Sequence, residues 1–318
     1  MVGPGVVRAL RARGHEVFVL HRGVTHSPMP EGVGLVRVDR TLGELEPALA
    51  ALRPEAVVDL CCYDADDARI TLEACANVPR LLVVSSVNAC GGPIPCPLDE
   101  RAPLRPVSEY GVSKAAMESV FADAWRSDSS DALVVRLGPC YRTGASLDGQ
   151  LVEDAYWLSH LAAGRRPVLA DDGAPLWNLI HADDAGMAMT LLLGNPSAGR
   201  RVVLVGSHEP IRWSDYYELV HRALGARFDP VCIPSRWIQE TWREPGFLEE
   251  MSRWDQRFDL RLLQQLAPGF EERIPLASGV AEAARWLIEH RQTGEPLVVT
   301  RVDELARAWR NHRVDSPS

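Results

Sequence analysis

The 318-residue sequence contains no uninterrupted apolar run of about 18 residues, the length at which a helix can cross a lipid bilayer. Its first residues also lack the basic start and apolar stretch of a secretory signal peptide. Basic residues are outnumbered, with 34 Lys and Arg against 43 Asp and Glu, and the formal net charge is −9. A nucleic-acid-binding surface needs the opposite balance. These absences predict a cytoplasmic protein whose partner is a small molecule, with no nucleic acid and no membrane involved.

Paired cysteine motifs are absent as well. The seven cysteines are scattered, and neither a CxxC pair nor a neighbouring His with zinc spacing is present. We therefore expect reduced thiols. His181 lies near Asp183 and Asp184, but this spacing fits no specific set of metal ligands, so we predict no metal site and expect one of the two carboxylates to cap a helix. A Ser-His-Asp hydrolase is disfavoured because no GxSxG turn occurs.

What the sequence does contain is a regular alternation of strand and helix patterns over its first 140 residues. Hydrophobic residues make up 46% of the chain and charged residues 24%, which is enough for a large core. The strand-like runs are HEVFVLH, VGLVRVD, AVVDLCC, RLLVVSS and ALVVRLG, and helical patterns separate them. This order predicts an α/β fold with a doubly wound parallel sheet.

The alternation breaks after Gly138, and the chain becomes richer in tryptophan and proline after Pro210. We predict a dinucleotide-binding-type domain formed by residues 1–140 and 176–207, because GRRVVLVGS is typical of a further strand of the same kind. Residues 141–175 and 208–318 then form a smaller substrate lobe and a C-terminal tail. A cleft between two such lobes is a usual place for a substrate.

The strongest chemical pattern combines Ser86, Tyr110 and Lys114. Tyr110 and Lys114 are four residues apart, so they lie on the same face of the helix SEYGVSKAAMESVFADAWR. Ser86 ends a strand, at the edge where a parallel sheet presents its functional groups. We expect the Lys114 ammonium to lower the pKa of Tyr110, which would then serve as a general acid or base.

Several stretches together resemble the extended short-chain dehydrogenase/reductase superfamily, in its NAD-dependent epimerase/dehydratase group. The similarity covers about residues 1–290 and is carried by GPGVVRALRARGHEVFVLHRG, VVSSVNACGG, PLDERAPLRPVSEYGVSKAAME, VVRLGPCY and NLIHADDAGMAM. The resemblance implies that Tyr110 is the catalytic acid/base and that Ser86 binds the substrate oxygen. It implies that Lys114 tunes Tyr110 and holds the nicotinamide ribose, with NAD or NADP carrying the redox step.

The opening stretch departs from this family, whose members begin with a strand and a glycine-rich turn. Only the last glycine of that turn, Gly3, has a counterpart, and Gly5 falls inside the first helix, where close packing explains it. The absent strand would lie centrally, between HEVFVLH and AVVDLCC. A start assigned too far downstream is the favoured explanation. A genuine truncation that abolishes ordinary cofactor binding is the second, and replacement of the strand by PLVVTRV near residue 300 is the third.

Two further departures concern the substrate. Sugar-nucleotide dehydratases of the superfamily carry an Asp-Glu pair where this chain has Val87 and Asn88, so epimerase or reductase chemistry is preferred. Nucleotide-sugar epimerases commonly carry Arg-Asp where this chain has Trp177 and Asn178. Trp177 either offers an apolar face to the substrate or belongs to the core. Besides Ser86, the candidate substrate-binding residues are Asn88, Tyr141 and Trp177.

The candidate cofactor-binding residues are Gly3, Arg22, Asp39, Cys61 and Lys114. Arg22 follows the second family strand, where an arginine accommodates a 2′-phosphate, so the sequence leans toward NADP. Asp39 matches the position that approaches the adenine in the family, and Cys61 lies beside the cofactor.

The sequence thus predicts an NAD(P)-dependent epimerase or carbonyl/alcohol oxidoreductase acting on a sugar-like or natural-product-like small molecule. The alternative is a cofactor-independent descendant, either a binding or scaffold protein or an isomerase or cyclase that uses Tyr110. Superfamily members commonly pair their Tyr-Lys helices, so the resemblance also implies a homodimer.

Overall fold

A computed structural model describes residues 1–24, 29–242 and 246–315. The strands in these residues are β1 (Phe18–His21), β2 (Gly34–Arg37), β3 (Ala56–Asp59), β4 (Arg80–Ser86), β5 (Leu133–Leu137), β6 (Cys140–Tyr141), β7 (Val168–Ala170), β8 (Leu176–Trp177), β9 (Ile180–His181), β10 (Arg201–Val205), β11 (Ile211–Arg212) and β12 (Val231–Ile233). The strands and helices expected in the first 140 residues are all present, with shorter ends.

The α-helices of the described residues are α1 (Gly3–Ala12), α2 (Leu45–Leu52), α3 (Ala65–Ala74), α4 (Glu109–Arg126), α5 (Tyr156–Ala162), α6 (Ala182–Leu193), α7 (Trp213–Ala223), α8 (Ser235–Thr241), α9 (Arg261–Leu266), α10 (Leu276–Glu289) and α11 (Pro296–Asp315). Short 3₁₀ turns cover Arg40–Leu42, Val87–Cys90 and Pro196–Ala198, and a π-helical turn covers Leu248–Ser252. None of the described helices combines the length and the apolar character needed to span a membrane.

The main sheet has the order β10-β5-β4-β3, and all of its strands are parallel. β4 is central, and every residue from Leu81 to Ser86 is buried. Its side chains alternate between the two faces, so Leu82 and Val84 enter one apolar cluster while Leu81 and Val83 enter another. A strand buried on both sides has a continuous apolar sequence, which is why the run RLLVVSS predicts this one.

β1 and β2 form a separate parallel pair, with Leu20 opposite Val36. In the described ranges, no ladder joins β1 to β3. The two sheets are thus separated between β1 and β3. The family's first strand would lie between these two strands. The exposed fraction of the Phe18 side chain, 42%, shows that this smaller sheet is covered less completely than the main one.

Helices cover both faces of the main sheet, as a doubly wound fold requires. On one face, α1 and α6 pack together with Val6 and Met189 in the apolar cluster. On the other face, α3 and α4 contribute Ala68, Met117 and Phe121. The structure therefore confirms the α/β class that the strand and helix rhythm predicts.

The crossing of α1 and α6 depends on two glycines. A Cβ on Gly5 would lie 2.0 Å from the carbonyl oxygen of Ala182, and a Cβ on Gly186 would lie 2.3 Å from the carbonyl carbon of Gly5. Real Cβ atoms do not approach backbone atoms so closely, so neither helix admits a side chain there. Gly5 is thus a packing residue, as its place in the sequence predicts.

A second aromatic-rich core lies outside the main sheet. It includes Trp157 on α5, Trp213 and Tyr217 on α7, and Leu287 on α10. Most of its residues come from the segments expected to form the smaller lobe, although the segment around α9 packs with Leu263 into the main core instead. The proposed domain boundaries remain a prediction.

The segment PLVVTRV is helical, because it begins α11, which runs to Asp315. Replacement of the first strand by this segment is therefore wrong. Val302 and Leu305 of α11 are buried against the aromatic core. Branched apolar residues favour strands in isolation, but here tertiary packing decides the conformation.

Candidate active site

Ser86 lies at the carboxyl end of β4, and its side chain is 8% exposed. Its Oγ donates a hydrogen bond to Oδ1 of Asn88 at 2.7 Å and accepts one from the Asn88 backbone N–H at 3.2 Å. The serine thereby caps the short 3₁₀ turn that begins at Val87. The Tyr110 hydroxyl lies near enough for the Ser86 hydroxyl to influence its pKa. The structure therefore brings Ser86 and Tyr110 together, as the motif predicts.

Helix α4 begins directly before Tyr110. Ser108 caps it, with its Oγ accepting a hydrogen bond from the Gly111 N–H at 3.0 Å. A Cβ on Gly111 would lie 2.5 Å from the carbonyl oxygen of Asn88, so only glycine lets the helix approach the end of β4. This close approach places Tyr110 beside the strand end that carries Ser86.

Lys114 is almost completely buried, with 2% of its side chain exposed. Its Nζ donates hydrogen bonds to the carbonyl oxygens of Cys62 at 2.8 Å and Val84 at 3.0 Å. The same nitrogen lies 5.0 Å from the ring centre of Tyr63 and 5.7 Å from that of Tyr110. An ammonium has three N–H donors, and these contacts leave one of them free to bind a ligand.

The pKa of Tyr110 is raised, which corrects the expectation that Lys114 makes it acidic. Partial burial of the phenol is the largest cause, although 44% of the residue is exposed, and the nearby Ser86 hydroxyl acts in the opposite direction. The two carbonyl partners hold the ammonium and attract its charge. Burial also lowers the pKa of Lys114 itself. Tyr110 is therefore a protonated phenol at neutral pH, suited to donate a proton.

Glu250 is a site residue that the sequence patterns do not reveal. Its carboxylate is 2% exposed and accepts hydrogen bonds from Nδ2 of Asn88 at 2.9 Å and from the N–H and Oγ of Ser108 at 3.0 and 2.8 Å. It therefore connects the end of β4 to the start of α4. Because 140 residues separate Glu250 from Tyr110, no local spacing in the sequence could have identified it.

The candidate cofactor residues lie along the neighbouring strand ends. Gly3 begins α1, and a Cβ there would lie 3.3 Å from Cδ1 of Leu60, so Gly3 packs beside the end of β3. Cys61 follows β3 and is exposed. Asp39 caps the turn after β2 by accepting hydrogen bonds from Thr41, and these bonds lower its pKa, with a smaller contribution from the charge of the exposed Arg22.

These residues fit a nicotinamide dinucleotide at both of its ends. The uncommitted N–H of Lys114 lies beside Tyr110, where a ribose hydroxyl could accept it. Arg22 and Asp39 lie together at the ends of the smaller sheet. Between them, α1 begins at Gly3 without a side-chain cap, but Pro4 has no N–H and the Gly5 N–H donates to the Val2 carbonyl, so this helix start offers an anion few donors.

The candidate substrate residues meet different outcomes. The Asn88 side chain is hydrogen-bonded to both Ser86 and Glu250, so it holds the Ser86 hydroxyl in position. Tyr141 and Trp177 are each 1% exposed. Trp177 stacks on Trp213 with ring centres 4.4 Å apart, and Tyr141 packs edge-on against His181. For Trp177, the core alternative is therefore the correct one, and neither ring offers a face to a ligand.

The cap of α6 is also different from the expected one. His181 caps the helix by accepting a hydrogen bond from the Asp183 N–H at 3.1 Å, while Asp183 pairs with Arg8 and Asp184 accepts hydrogen bonds from the backbone of Arg273 and Ile274. Within the described ranges, no group of three His, Cys, Asp or Glu side chains is arranged to hold a metal ion.

The chain belongs to the NAD dependent epimerase/dehydratase family, whose model matches residues 1–206, and it is an enzyme of the extended short-chain dehydrogenase/reductase type. It is 50% identical over 305 residues to a 2'-dehydrokanamycin reductase of Streptomyces kanamyceticus, covering 96% of this chain and 86% of the relative. A 3-diazoavenalumate denitrifying reductase from a Streptomyces species is 30% identical, with coverages of 71% and 79%. The NAD complex of a UDP-glucose 4-epimerase from Thermus thermophilus shares the fold, with a TM-score of 0.69, 23% identity and coverages of 91% and 96%.

Proposed function

We propose that the protein is a nicotinamide-dependent reductase that converts the ketone of a sugar-like natural product into an alcohol. The observation that carries this proposal is the protonated Tyr110 phenol beside Ser86, at the end of β4 and next to the buried Lys114. The 50% identity to a 2'-dehydrokanamycin reductase, over 96% of this chain, supports the same direction of chemistry. Epimerase chemistry needs the same three residues and is the second candidate.

In this proposal, Tyr110 donates its hydroxyl proton to the carbonyl oxygen of the substrate. Ser86 holds that oxygen in line, after releasing the hydrogen bond that it now donates to Asn88. Lys114 keeps one N–H for the ribose of the cofactor, and its ammonium lies 5.7 Å from the centre of the Tyr110 ring. The bound cofactor supplies the hydride, while the protein positions the reactants and provides the proton.

The substrate is not expected to be a nucleotide sugar. Trp177 takes the place of the arginine that holds the diphosphate in nucleotide-sugar epimerases, and its ring is buried against Trp213, so it cannot bind a diphosphate. Val87 is 1% exposed and Asn88 is engaged by Glu250, so the strand end lacks the acid and base of a dehydratase. The first feature favours a substrate without a nucleotide, and the second disfavours dehydration.

The preferred cofactor in this proposal is NADP, because Arg22 is exposed at the end of β1 and could accept a 2′-phosphate. The Arg22→Ala variant tests the preference. We expect its KM for NADPH to rise about 10-fold while its KM for NADH changes little. Equal changes for the two cofactors would remove the NADP preference and leave the NAD assignment intact.

We also propose a homodimer formed through α4. Val112 on the outer side of this helix is 53% exposed, although it is apolar. Analytical ultracentrifugation of the wild type should show a dimer that a Val112→Glu variant dissociates. A monomeric wild type at micromolar concentration would contradict this part of the proposal.

The reductase proposal is tested by following NADPH and NADH oxidation with 2'-dehydrokanamycin and identifying the product by mass spectrometry. We expect turnover that yields the alcohol, with one molecule of cofactor oxidised for each ketone reduced. Saturable cofactor binding without oxidation of cofactor by any keto-sugar would contradict the proposal. Interconversion of two alcohol epimers without net oxidation of cofactor would favour the epimerase instead.

A further inference from the structure

The loop between β6 and α5 carries carboxylates that the proposed reaction does not use. Its backbone is fixed to the π-helical turn and to α7, since the Gln150 carbonyl accepts a hydrogen bond from Oγ of Ser252 at 2.5 Å and the Gln150 N–H donates one to the Tyr217 hydroxyl at 3.1 Å. Ser252 belongs to the same π-helical turn as Glu250, which contacts Ser108. The loop is thereby held beside the start of α4, where Tyr110 lies.

Asp148 and Glu153 on this loop have no cationic partner among the described residues. The charges that act on Asp148 come from Glu153 and Asp154, and the charge that acts on Glu153 comes from Glu250, so every one of them is negative. Burial and these charges raise the pKa of Asp148 to about 8. Glu153 is exposed, so the cost of gathering these carboxylates without a cation falls mainly on Asp148.

A buried hydroxyl beside Asp148 supplies an independent sign of a missing ligand. The Tyr216 side chain is fully buried, and its Oη has no hydrogen-bond partner in the described chain. Among the charges that act on this hydroxyl, that of Asp148 is the largest. Buried hydroxyl groups are normally satisfied, so the unpartnered Oη indicates that a polar group occupies the space near Asp148 in the functional state.

The same loop lies close to the Tyr110 hydroxyl. The charge of Glu153 acts on the Tyr110 phenol, ahead of the charges of Tyr63 and Glu250. A ligand that extends from Tyr110 into the second lobe therefore meets Glu153 and then Asp148. These carboxylates attract a positively charged ligand and repel a phosphorylated one.

We propose that Asp148 and Glu153 form a subsite for the protonated amines of an amino-sugar substrate. This inference rests on the proposed reductase function and specifies its substrate class as an ammonium-bearing carbohydrate. Glu153 binds an amine close to the ketone, and Asp148 binds a second amine deeper in the cleft, together with the Tyr216 hydroxyl. Glu250 remains a positioning residue because its carboxylate is engaged by Ser108 and Asn88.

The test compares 2'-dehydrokanamycin with its fully N-acetylated derivative, which keeps the ketone and lacks the ammonium charges. In the Glu153→Gln and Asp148→Asn variants, we expect KM for the charged ketone to rise about 10-fold or more and kcat to change less than about 3-fold. KM for the acetylated ketone should not rise. Glu289→Gln is the matched control, because it removes one negative charge from an exposed position at the end of α10.

A parallel measurement separates this inference from the reductase proposal. Calorimetric binding of kanamycin to the wild type and to the same three variants reports on the amine subsite without any turnover. Weaker binding in Glu153→Gln and Asp148→Asn, but not in Glu289→Gln, supports the subsite even if no ketone is reduced. Equal binding by all four proteins, or equal KM changes for the charged and acetylated ketones, would overturn it.

Discussion

The two parallel sheets hold their functional residues in different ways. The four-stranded sheet carries the buried Ser86 and fixes Lys114 through the carbonyl oxygens of Cys62 and Val84. The two-stranded sheet of β1 and β2 ends in the exposed Arg22, and Asp39 beyond it is bonded to the adjacent Thr41 and close to the surface. The proton-transfer residues thus depend on long-range contacts, and the residues proposed for cofactor selection depend on local ones.

This difference teaches where each property of the enzyme can change. A residue held only by its own turn can be replaced without disturbing the rest of the molecule, so the cofactor preference proposed for Arg22 can be tested there in isolation. Ser86, Tyr110 and Lys114 belong to a network of polar groups that is stable only when every member is satisfied. Changes there should alter both chemistry and stability.

The largest effect is expected for Tyr110→Phe, which removes the proton donor and keeps the ring. Turnover should fall about 10²- to 10⁴-fold, the usual contribution of a general acid. Binding of NAD(P)H, measured by fluorescence titration, should stay nearly unchanged, because Lys114 keeps both of its carbonyl partners. Unchanged turnover would refute the role of Tyr110 as the proton donor. It would also weaken the distinction between the sheet that holds the reacting residues and the sheet that ends near Arg22.

A second change separates packing from chemistry. Gly5→Ala places a Cβ against the Ala182 carbonyl, so α1 and α6 must move apart, and we expect a loss of about 3 kcal/mol or more in the free energy of unfolding. Gly194→Ala is the matched control at the end of α6, where a Cβ would meet its nearest atom at an ordinary 3.5 Å. Chemical denaturation measures both variants. Equal stabilities would contradict the tight crossing.

Glu250→Gln tests the connection between the end of β4 and the start of α4. The substitution replaces one of the two acceptor oxygens by an NH₂ group, which cannot accept the hydrogen bonds that Asn88 and Ser108 donate. We therefore expect a loss of about 1–3 kcal/mol in the free energy of unfolding. As a positioning residue, it should lower kcat about 10-fold and leave KM for the cofactor unchanged. Glu249→Gln, on the same turn, is the control. A drop in stability with full kcat would indicate a purely structural role.

A further prediction concerns the pH dependence of stability. The pKa of Asp148 is about 8 in the folded protein and about 4 when unfolded, so the folded state binds more protons between these values. The contribution of Asp148 to the free energy of unfolding is fully present below pH 4, and it is lost progressively as the pH rises from 4 through 8. Asp148→Asn should therefore gain stability over the wild type at pH 9 relative to pH 5. A parallel fall in Tm for both proteins would contradict the raised pKa.

Sequence patterns predict the parts of the molecule that are controlled by local periodicity. The run RLLVVSS forms β4, and the four-residue spacing of Tyr110 and Lys114 places both on one side of α4. The packing role of the glycine in the first helix is confirmed. These predictions succeed because neighbouring residues determine the features concerned.

Other features depend on contacts between distant segments, and local patterns miss them for that reason. Glu250 reaches Asn88 across 162 residues, and carbonyls of separate segments hold the Lys114 ammonium while burial raises the pKa of Tyr110. PLVVTRV has strand-like residues, yet packing against the aromatic core makes it helical. The sequence supports two interpretations of Trp177 because burial is not a local property.

The π-helical turn that carries Glu250 has a consequence for how this enzyme can be re-engineered. Leu248 packs into the aromatic core, whereas Met251, three residues later, packs into the main core. A chimera that exchanges the segments of the aromatic core for those of a relative must therefore import an equivalent carboxylate at this junction. Otherwise the graft would alter the reaction centre together with the specificity.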